Sequence, residues 1–285
     1  MTPIQYCYEK VTESKSNFKW TFYFISKNRR DALVSLYAFC REIDDIVDNT
    51  IDLEVATAKI KWWKSEIQRL FHETPQHPVT QSLLNFIHAY ELNEAYFIEM
   101  LDGMEMDLKF NRYESFKQLQ LYCYRVAGVV GILCVKILGF KNQITLKYAH
   151  DLGIALQLTN IVRDVGEDAR KNRIYIPLDE LHKFNVNEED ILNYRENKNI
   201  SNLLIYQIER AQTFYTSAYK KIPKEDINGQ IAGLLMGKIY ETLLLEIKRD
   251  RPEQVLNHKV ILPPLRKLLV IFKCFLKNKF YAFSN

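Results

Sequence analysis

The chain has 285 residues, 47% of them hydrophobic and 26% charged, with a formal net charge of +4. That balance excludes an intrinsically disordered chain, and so small a charge, spread along the length, leaves no footprint for nucleic acid. Nine glycines and eight prolines are few for a protein of many tight sheet turns, so an all-α fold is expected.

In chain order, the opening "MTPIQYCYEK" has no basic start, apolar run or small-residue cleavage site, and no signal peptide is expected. Cys7, Cys40, Cys123, Cys134 and Cys274 are odd in number and include no C-x-x-C pair. They read as reduced thiols of a cytoplasmic protein. After the aromatic stretch "SNFKWTFYF", hydrophobic periodicity predicts helices near 29–49, 52–71, 79–91, 94–108, 115–138, 143–166, 201–220, 225–249 and 263–280. Breaks fall at "HETPQHP", "GFKN", "IPKEDING" and "LPP". The polar stretch 171–200 reads as a loop or lid with a short helix near Glu188. Gly229, Gly233 and Gly237, four apart, imply a close helix–helix contact. No linker divides the chain, so residues 1–285 are read as one domain. No apolar run approaches the roughly 20 residues of a membrane span. The last helix combines Leu268, Leu269, Ile271, Phe272, Phe275 and Leu276 with Arg266, Lys267, Lys273, Lys277 and Lys279. It either packs on the body with solvated lysines or lies on an anionic bilayer at the inner membrane face.

Two acid clusters stand out. "REIDDIVDNT" carries Glu42, Asp44, Asp45 and Asp48, and "NIVRDVGEDARKNRIYIP" carries Asp164, Glu167 and Asp168. Residues four apart on a helix lie about 40° apart in projection. Asp44 and Asp48 therefore share a face with Tyr37 and Arg41, beside the apolar stripe of Leu36, Cys40, Ile43 and Val47, while Asp45 points further outward. In the second helix Gly153, Gln157, Asn160, Asp164 and Asp168 form a polar stripe among apolar positions. A solvated stripe would carry long lysines and glutamates, so this one reads as a pocket wall.

Like charges at i,i+4 oppose the helix, and their repetition implies a cation between the two faces. Mg²⁺ suits short carboxylates that it shares with water and phosphate oxygens. Two such faces can hold diphosphate, with Arg41, Arg163, Arg170, Lys171 and Arg173 as flanking cations. The competing reading is a solvated face of mixed charge. Phe18, Trp20, Phe22 and Phe24, with Tyr122, Val126, Val130 and Ala127, suit a hydrocarbon cavity whose π faces steady a carbocation. Ordinary core packing is the alternative for each aromatic. G-x-G-x-x-G, G-x-x-x-x-G-K-[ST], G-x-S-x-G, H-E-x-x-H and Glu-x-x-His are all missing from the sequence.

"YAFCREIDDIVD", "YCYRVAGVVG" and "LTNIVRDVGEDARKNRIYIPLDEL" resemble the three signature blocks of the squalene and phytoene synthase family, which joins two prenyl diphosphates head to head. The resemblance runs from about residue 5 to residue 270. "TPIQYCYEK", "HPVTQSL" and "DGMEMDLKFNRY" look like its bacterial presqualene diphosphate synthase branch, of the hopanoid route, though the phytoene and dehydrosqualene branches share much of this text.

The resemblance implies a single-domain isoprenoid synthase helical bundle around a central active-site cavity. It implies that Asp44 and Asp48 bind Mg²⁺, or Mn²⁺ in its place, with one diphosphate, and that Asn160, Asp164 and Asp168 form the second metal-binding face. Arg41, Arg163 and Arg173 would contact diphosphate, with Tyr240 nearby and Lys259 where some relatives carry Arg. Tyr122 matches the family's mechanistic tyrosine, and Phe18, Phe22, Tyr37, Val126, Val130 and Gln157 match pocket positions. The implied reaction joins two farnesyl diphosphates into presqualene diphosphate, with no NADPH in this first half-reaction. Other enzymes of the squalene and hopanoid route would be its partners. Alternatives are phytoene or dehydrosqualene synthesis, full squalene synthesis with NADPH, and a membrane-associated helical adaptor without activity. Chain-elongating prenyltransferases and terpene cyclases also carry an Asp-rich helix, but the N-x-x-x-D-x-x-x-D stripe of 160–168 matches neither.

Overall fold

In a computed structural model, residues 1–13, 25–50 and 52–283 are described, with side chains as far as Cys274. Phe18, Trp20, Phe22 and Phe24 lie outside the described residues, as do the side chains of Phe275, Leu276, Lys277 and Lys279. The described elements are helices α1 (Pro3–Glu13), α2 (Lys27–Asn49), α3 (Leu53–Phe71), α4 (Pro78–Ile87), α5 (Glu94–Lys109), α6 (Phe116–Cys123), α7 (Val129–Leu138), α8 (Ile144–Arg170), α9 (Leu178–Lys183), α10 (Glu188–Leu192), α11 (Lys198–Lys221), α12 (Ile231–Arg249) and α13 (Pro264–Phe283). One isolated bridge, Arg112 to Ile174, is the sole β-type pairing among the described residues.

Helix α1 was not anticipated from periodicity. Its start is nonetheless written locally: the Thr2 N–H donates to Gln5 Oε1 at 2.8 Å, the Gln5 N–H to Thr2 Oγ1 at 3.4 Å, and Pro3 takes the first turn. Helix α4 ends at Ile87 rather than at residue 91, because the Leu92 N–H bonds back to Ile87 O at 2.8 Å while Glu91 adopts φ 50°. Helix α12 begins at Ile231, after a single 3₁₀ turn at Lys224–Asp226.

The predicted helix 115–138 is continuous but carries a π turn at Tyr124–Gly128 between α6 and α7. A π turn takes more residues per revolution than an α turn, so the i, i+4, i+8 set Tyr122, Val126 and Val130 stays on one face instead of drifting round the axis. Contrary to the sequence expectation, Phe116–Leu138 is long and apolar enough to cross a membrane by length and composition. Half of that stretch is buried inside the protein. It packs against α5 and α8 as an internal wall.

Helix α8 is the hub, with Leu152, Ile154, Ala155, Leu158, Ile161, Val162 and Val165 all buried. Gly153 makes its contact with the π turn possible, since a Cβ there would stand 2.4 Å from Ala127 O. The glycine spacing in 229–237 is explained in two of its three members. Gly233 meets the Tyr148 hydroxyl and Gly237 meets Leu152 and Tyr219, whereas Gly229 sits in the turn before α12.

The stretch 171–200 is a fixed wall, not an irregular lid. The Ile174 N–H donates to Asn111 O at 3.0 Å and the Leu178 N–H to Tyr113 O at 2.9 Å, and Arg112 pairs with Glu188. Glu180, buried on α9, receives Arg210 and Gln207 of α11. Two apolar cores result, one around α8 and α11 and one around α2 to α5, and Val126 packs against both. A large cavity lies between them, lined by residues of both.

Candidate active site

The cavity has a volume of about 950 Å³, near the top of the usual range for small-molecule sites. Helices α2, α5, α8, α12 and the π-bearing helix wall it, with residues 259–262 at one edge. Fifteen of the candidates from the sequence line it: Tyr37, Arg41, Asp44, Asp48, Tyr122, Val126, Val130, Gln157, Asn160, Arg163, Asp164, Asp168, Arg173, Tyr240 and Lys259, whereas Ala127, Arg170 and Lys171 are not part of the lining. Phe18 and Phe22 are outside the described residues.

The first acid cluster divides its labour. Asp44 and Asp48 face the cavity. Glu42 and Asp45 face away and both pair with Lys10 of α1, at 3.1 and 2.8 Å, and Glu42 accepts from the Tyr6 hydroxyl at 2.7 Å. Asp45 also takes Arg41 at 2.7 Å, while Arg41 reaches Asp44 at 3.2 Å. Half of the cluster is therefore an anchor for α1.

The second cluster rides on α8, which continues past residue 166 to Arg170 and so keeps Asp168 one turn beyond Asp164. Glu167 points outward to Lys259 at 2.6 Å, and Arg170 turns away to stack over Tyr194 at 5.0 Å. Arg163 is bound to Asp164 through two hydrogen bonds, and Lys259 stands 3.3 Å from the same carboxylate. Across the cavity Lys171 Nζ lies 2.7 Å from Asp48, with Arg173 at 3.9 Å.

Asp48 and Asp168 occupy the last turns of α2 and α8, where the macrodipole disfavours an acid by about 0.3–1 kcal/mol. Burial, and then Asp48, Asp107 and Asp45, push the Asp44 carboxyl up to about 6 against the pull of Arg41. Burial, Asp164 and Asp107 push Asp168 up to about 7. Asn160 Oδ1 is buried without a hydrogen-bond partner, while its amide donates to Gln157 at 3.3 Å. Surplus acid and an orphaned oxygen fit a hard divalent cation. Among the described residues no three His, Cys, Asp or Glu side chains converge on one point. A metal here would share its shell with water and substrate oxygens, as Mg²⁺ does.

Sequence reasoning missed Asp107, Tyr175, Met100 and Met104, all in the lining. Asp107 accepts from the Tyr175 hydroxyl at 2.6 Å and the Tyr122 hydroxyl at 3.1 Å. The rings of Tyr122 and Tyr175 stack at 5.3 Å, and Tyr113 stacks on Tyr175 at 5.7 Å. Burial raises the Asp107 carboxyl, opposed by its two tyrosines and Arg173, and burial followed by Asp107 raises the Tyr122 phenol. The available signal was the spacing of Met100, Met104 and Asp107 on one face of α5. Met100, Met104, Leu33, Leu36, Val126, Val130 and Cys134 complete an apolar lining. Among the described residues the five cysteines are free thiols, and Cys40 and Cys134 line the cavity.

An all-helical fold with two acid faces and an apolar cavity defines the class of isoprenoid synthases. The squalene/phytoene synthase family model matches residues 11–266, and the chain belongs to that family, prenyltransferase-type enzymes of head-to-head isoprenoid condensation. It is 34% identical over 283 residues to a phytoene synthase of Arthrospira platensis, covering 93% of this chain and 91% of that relative. A dehydrosqualene synthase solved with a ligand matches at TM-score 0.85 and 25% identity, over 99% of this chain and 97% of that one. The squalene synthase HpnC of Alicyclobacillus acidocaldarius shares the fold at TM-score 0.79 and 24% identity, over 87% and 93%.

Proposed function

We propose that this protein condenses two farnesyl diphosphates to presqualene diphosphate, releasing pyrophosphate and a proton. The observation that carries the reading is the placement of both acid faces, Asp44 and Asp48 on α2 and Asn160, Asp164 and Asp168 on α8, around one cavity with an apolar lining. One site thus has places for two diphosphates and two hydrocarbon tails.

In this reading Asp44, Asp48, Asn160, Asp164 and Asp168 hold Mg²⁺, which when bound neutralises charge on the departing diphosphate. Arg41, Arg163, Arg173, Lys171 and Lys259 pass from their aspartate partners to phosphate oxygens. The C1–O bond of the donor breaks and diphosphate leaves with the electron pair. The C2=C3 double bond of the second substrate attacks C1, and proton loss from that carbon closes the cyclopropane. The Tyr122 and Tyr175 rings offer π faces to the cation, backed by the buried Tyr113 ring, and Tyr122 Oη takes the proton as its own passes to Asp107. Met100, Met104, Val126 and Val130 exclude the water that would quench it. No reductant enters this half-reaction.

A second reading is favoured by the phytoene synthase name of the 34% identical relative. There the same site takes geranylgeranyl diphosphate and carries the cyclopropyl intermediate on to a C40 hydrocarbon. Incubation with each diphosphate and Mg²⁺, without NADPH, followed by dephosphorylation and mass spectrometry separates them. Presqualene alcohol from farnesyl diphosphate supports the first. Phytoene supports the second, dehydrosqualene or an NADPH-dependent squalene replaces both, and no pyrophosphate release from either substrate leaves only a non-enzymatic role.

A further inference from the structure

The last part of the chain carries a surface that catalysis does not use. Helix α13 has two apolar faces. Val270 and Ile271 turn inward, half-buried against the core, with Lys267 and Cys274 beside them. Leu265, Leu268, Leu269 and Phe272 turn the opposite way and are 75, 47, 53 and 60% exposed. Spaced at i, i+3, i+4 and i+7, they form one continuous outward stripe, extended by Ile261 at 67%. Ile271, grouped with this stripe by sequence, belongs to the inner face.

The charge around the stripe is one-sided. After Glu253 the chain contains no acid, while Lys259, Arg266, Lys267, Lys273, Lys277 and Lys279 supply six positive charges. The chain as a whole is only +4, so everything before this stretch is net negative. Unpartnered apolar side chains on a basic helix match an anionic bilayer, whose acyl boundary takes the apolar stripe while its headgroups take the lysines. A protein partner would be met by acids interspersed with the bases along the segment, and the acids that reach it come from α12 and α8 instead, Glu246 on Arg266 and Asp164 and Glu167 on Lys259. Position supplies a second, independent argument: Val260, Ile261, Leu262 and Lys267 border the cavity, so the stripe begins at the cavity edge.

We propose that the outward face of α13 is a docking surface for an anionic membrane, and that it presents the cavity edge to the lipid. The assignment of hydrocarbon substrates rests on the preceding reading, whereas the docking does not. The test is flotation of the full chain with phosphatidylcholine vesicles, with and without phosphatidylglycerol. The comparison is the exposed-face variant Leu265→Ser, Leu269→Ser, Phe272→Ser. Wild type is expected on the anionic vesicles, with binding reduced by added salt, and the variant is expected to lose at least about tenfold of it. Lys273→Gln weakens binding by about fivefold. Pyrophosphate release from detergent-dispersed substrate is expected to be unchanged in both variants, so a failure of the proposed reaction shows as no release in any of them. Absence of wild-type protein from the anionic vesicles overturns the docking, as does equal binding by the variant. A wild-type dimer that the variant dissolves, with no lipid binding, assigns the face to a second copy instead.

Discussion

Lys171, the residue capping the end of α8, sits 2.7 Å from Asp48, which lies 123 residues earlier near the end of α2. This contact ties the two acid faces together at the chain level. It also places a cation where a diphosphate would need one. Because the pair is exposed, it adds only about 0.2–1 kcal/mol to stability. Lys171→Ala is therefore expected to shift Tm by no more than about 2–4 °C while raising the KM for prenyl diphosphate several-fold. A stability loss with KM unchanged would reduce Lys171 to a structural tie.

Asp48→Asn and Asp164→Asn remove one carboxylate from each face. Turnover is expected to fall by at least about 100-fold in either, with the helical circular dichroism of the wild type retained. Wild-type rates at ordinary Mg²⁺ in either variant would exclude these faces as metal sites.

Asp107 is not among the proposed metal ligands, yet it holds Tyr122 and Tyr175 by their hydroxyls. Asp107→Asn is expected to lower kcat by about 10–100-fold with KM little altered. Combined with Tyr122→Phe, the loss should fall well short of additive, because both changes break one hydrogen-bonded unit. Additive losses would separate the two residues.

The Asp168 carboxyl is held up to about 7, above its ordinary 3.8, by burial and by Asp164 and Asp107. Between those values the folded chain binds a proton that the unfolded chain releases, so stability falls as pH rises through the window and the loss is complete above pH 7. Metal-free Asp168→Asn is expected to be more stable than wild type at pH 8 by about 1 kcal/mol, after screening through the open cavity, and equally stable at pH 4. Thermal unfolding at the two pH values in chelator checks the sign. A loss at pH 8 would mean the carboxylate is favourably solvated or paired.

Gly153→Ala puts a methyl group into the backbone of the π turn. Overpacking there is expected to cost about 1–3 kcal/mol. Since the π turn positions Val126, activity at a temperature well below Tm is expected to fall as well. Full activity in a destabilised variant would show that the turn relaxes without moving the cavity wall.

The sequence by itself determined what depends on neighbours along one helix. The shared face of Asp44 and Asp48, the stripe of Gln157, Asn160, Asp164 and Asp168, and the face of Tyr122, Val126 and Val130 follow from residues four apart, which a helix fixes locally. The family blocks lie on the same segments, and the residues that the resemblance carried over, as far as they are described, reach one cavity, while Arg170 turns away to Tyr194. The rotation of each helix about its axis was decided only by packing. Periodicity does not say that Glu42 and Asp45 would be taken by Lys10 of α1, that α5 would turn Asp107 toward two tyrosines, or that Ile271 would turn in while Phe272 turns out. Those outcomes depend on contacts between residues far apart in the chain, whose partners exist only once the helices have docked. The π turn belongs with them, because the close approach of α8 at Gly153 holds a backbone hydrogen-bond pattern that local propensity alone does not favour.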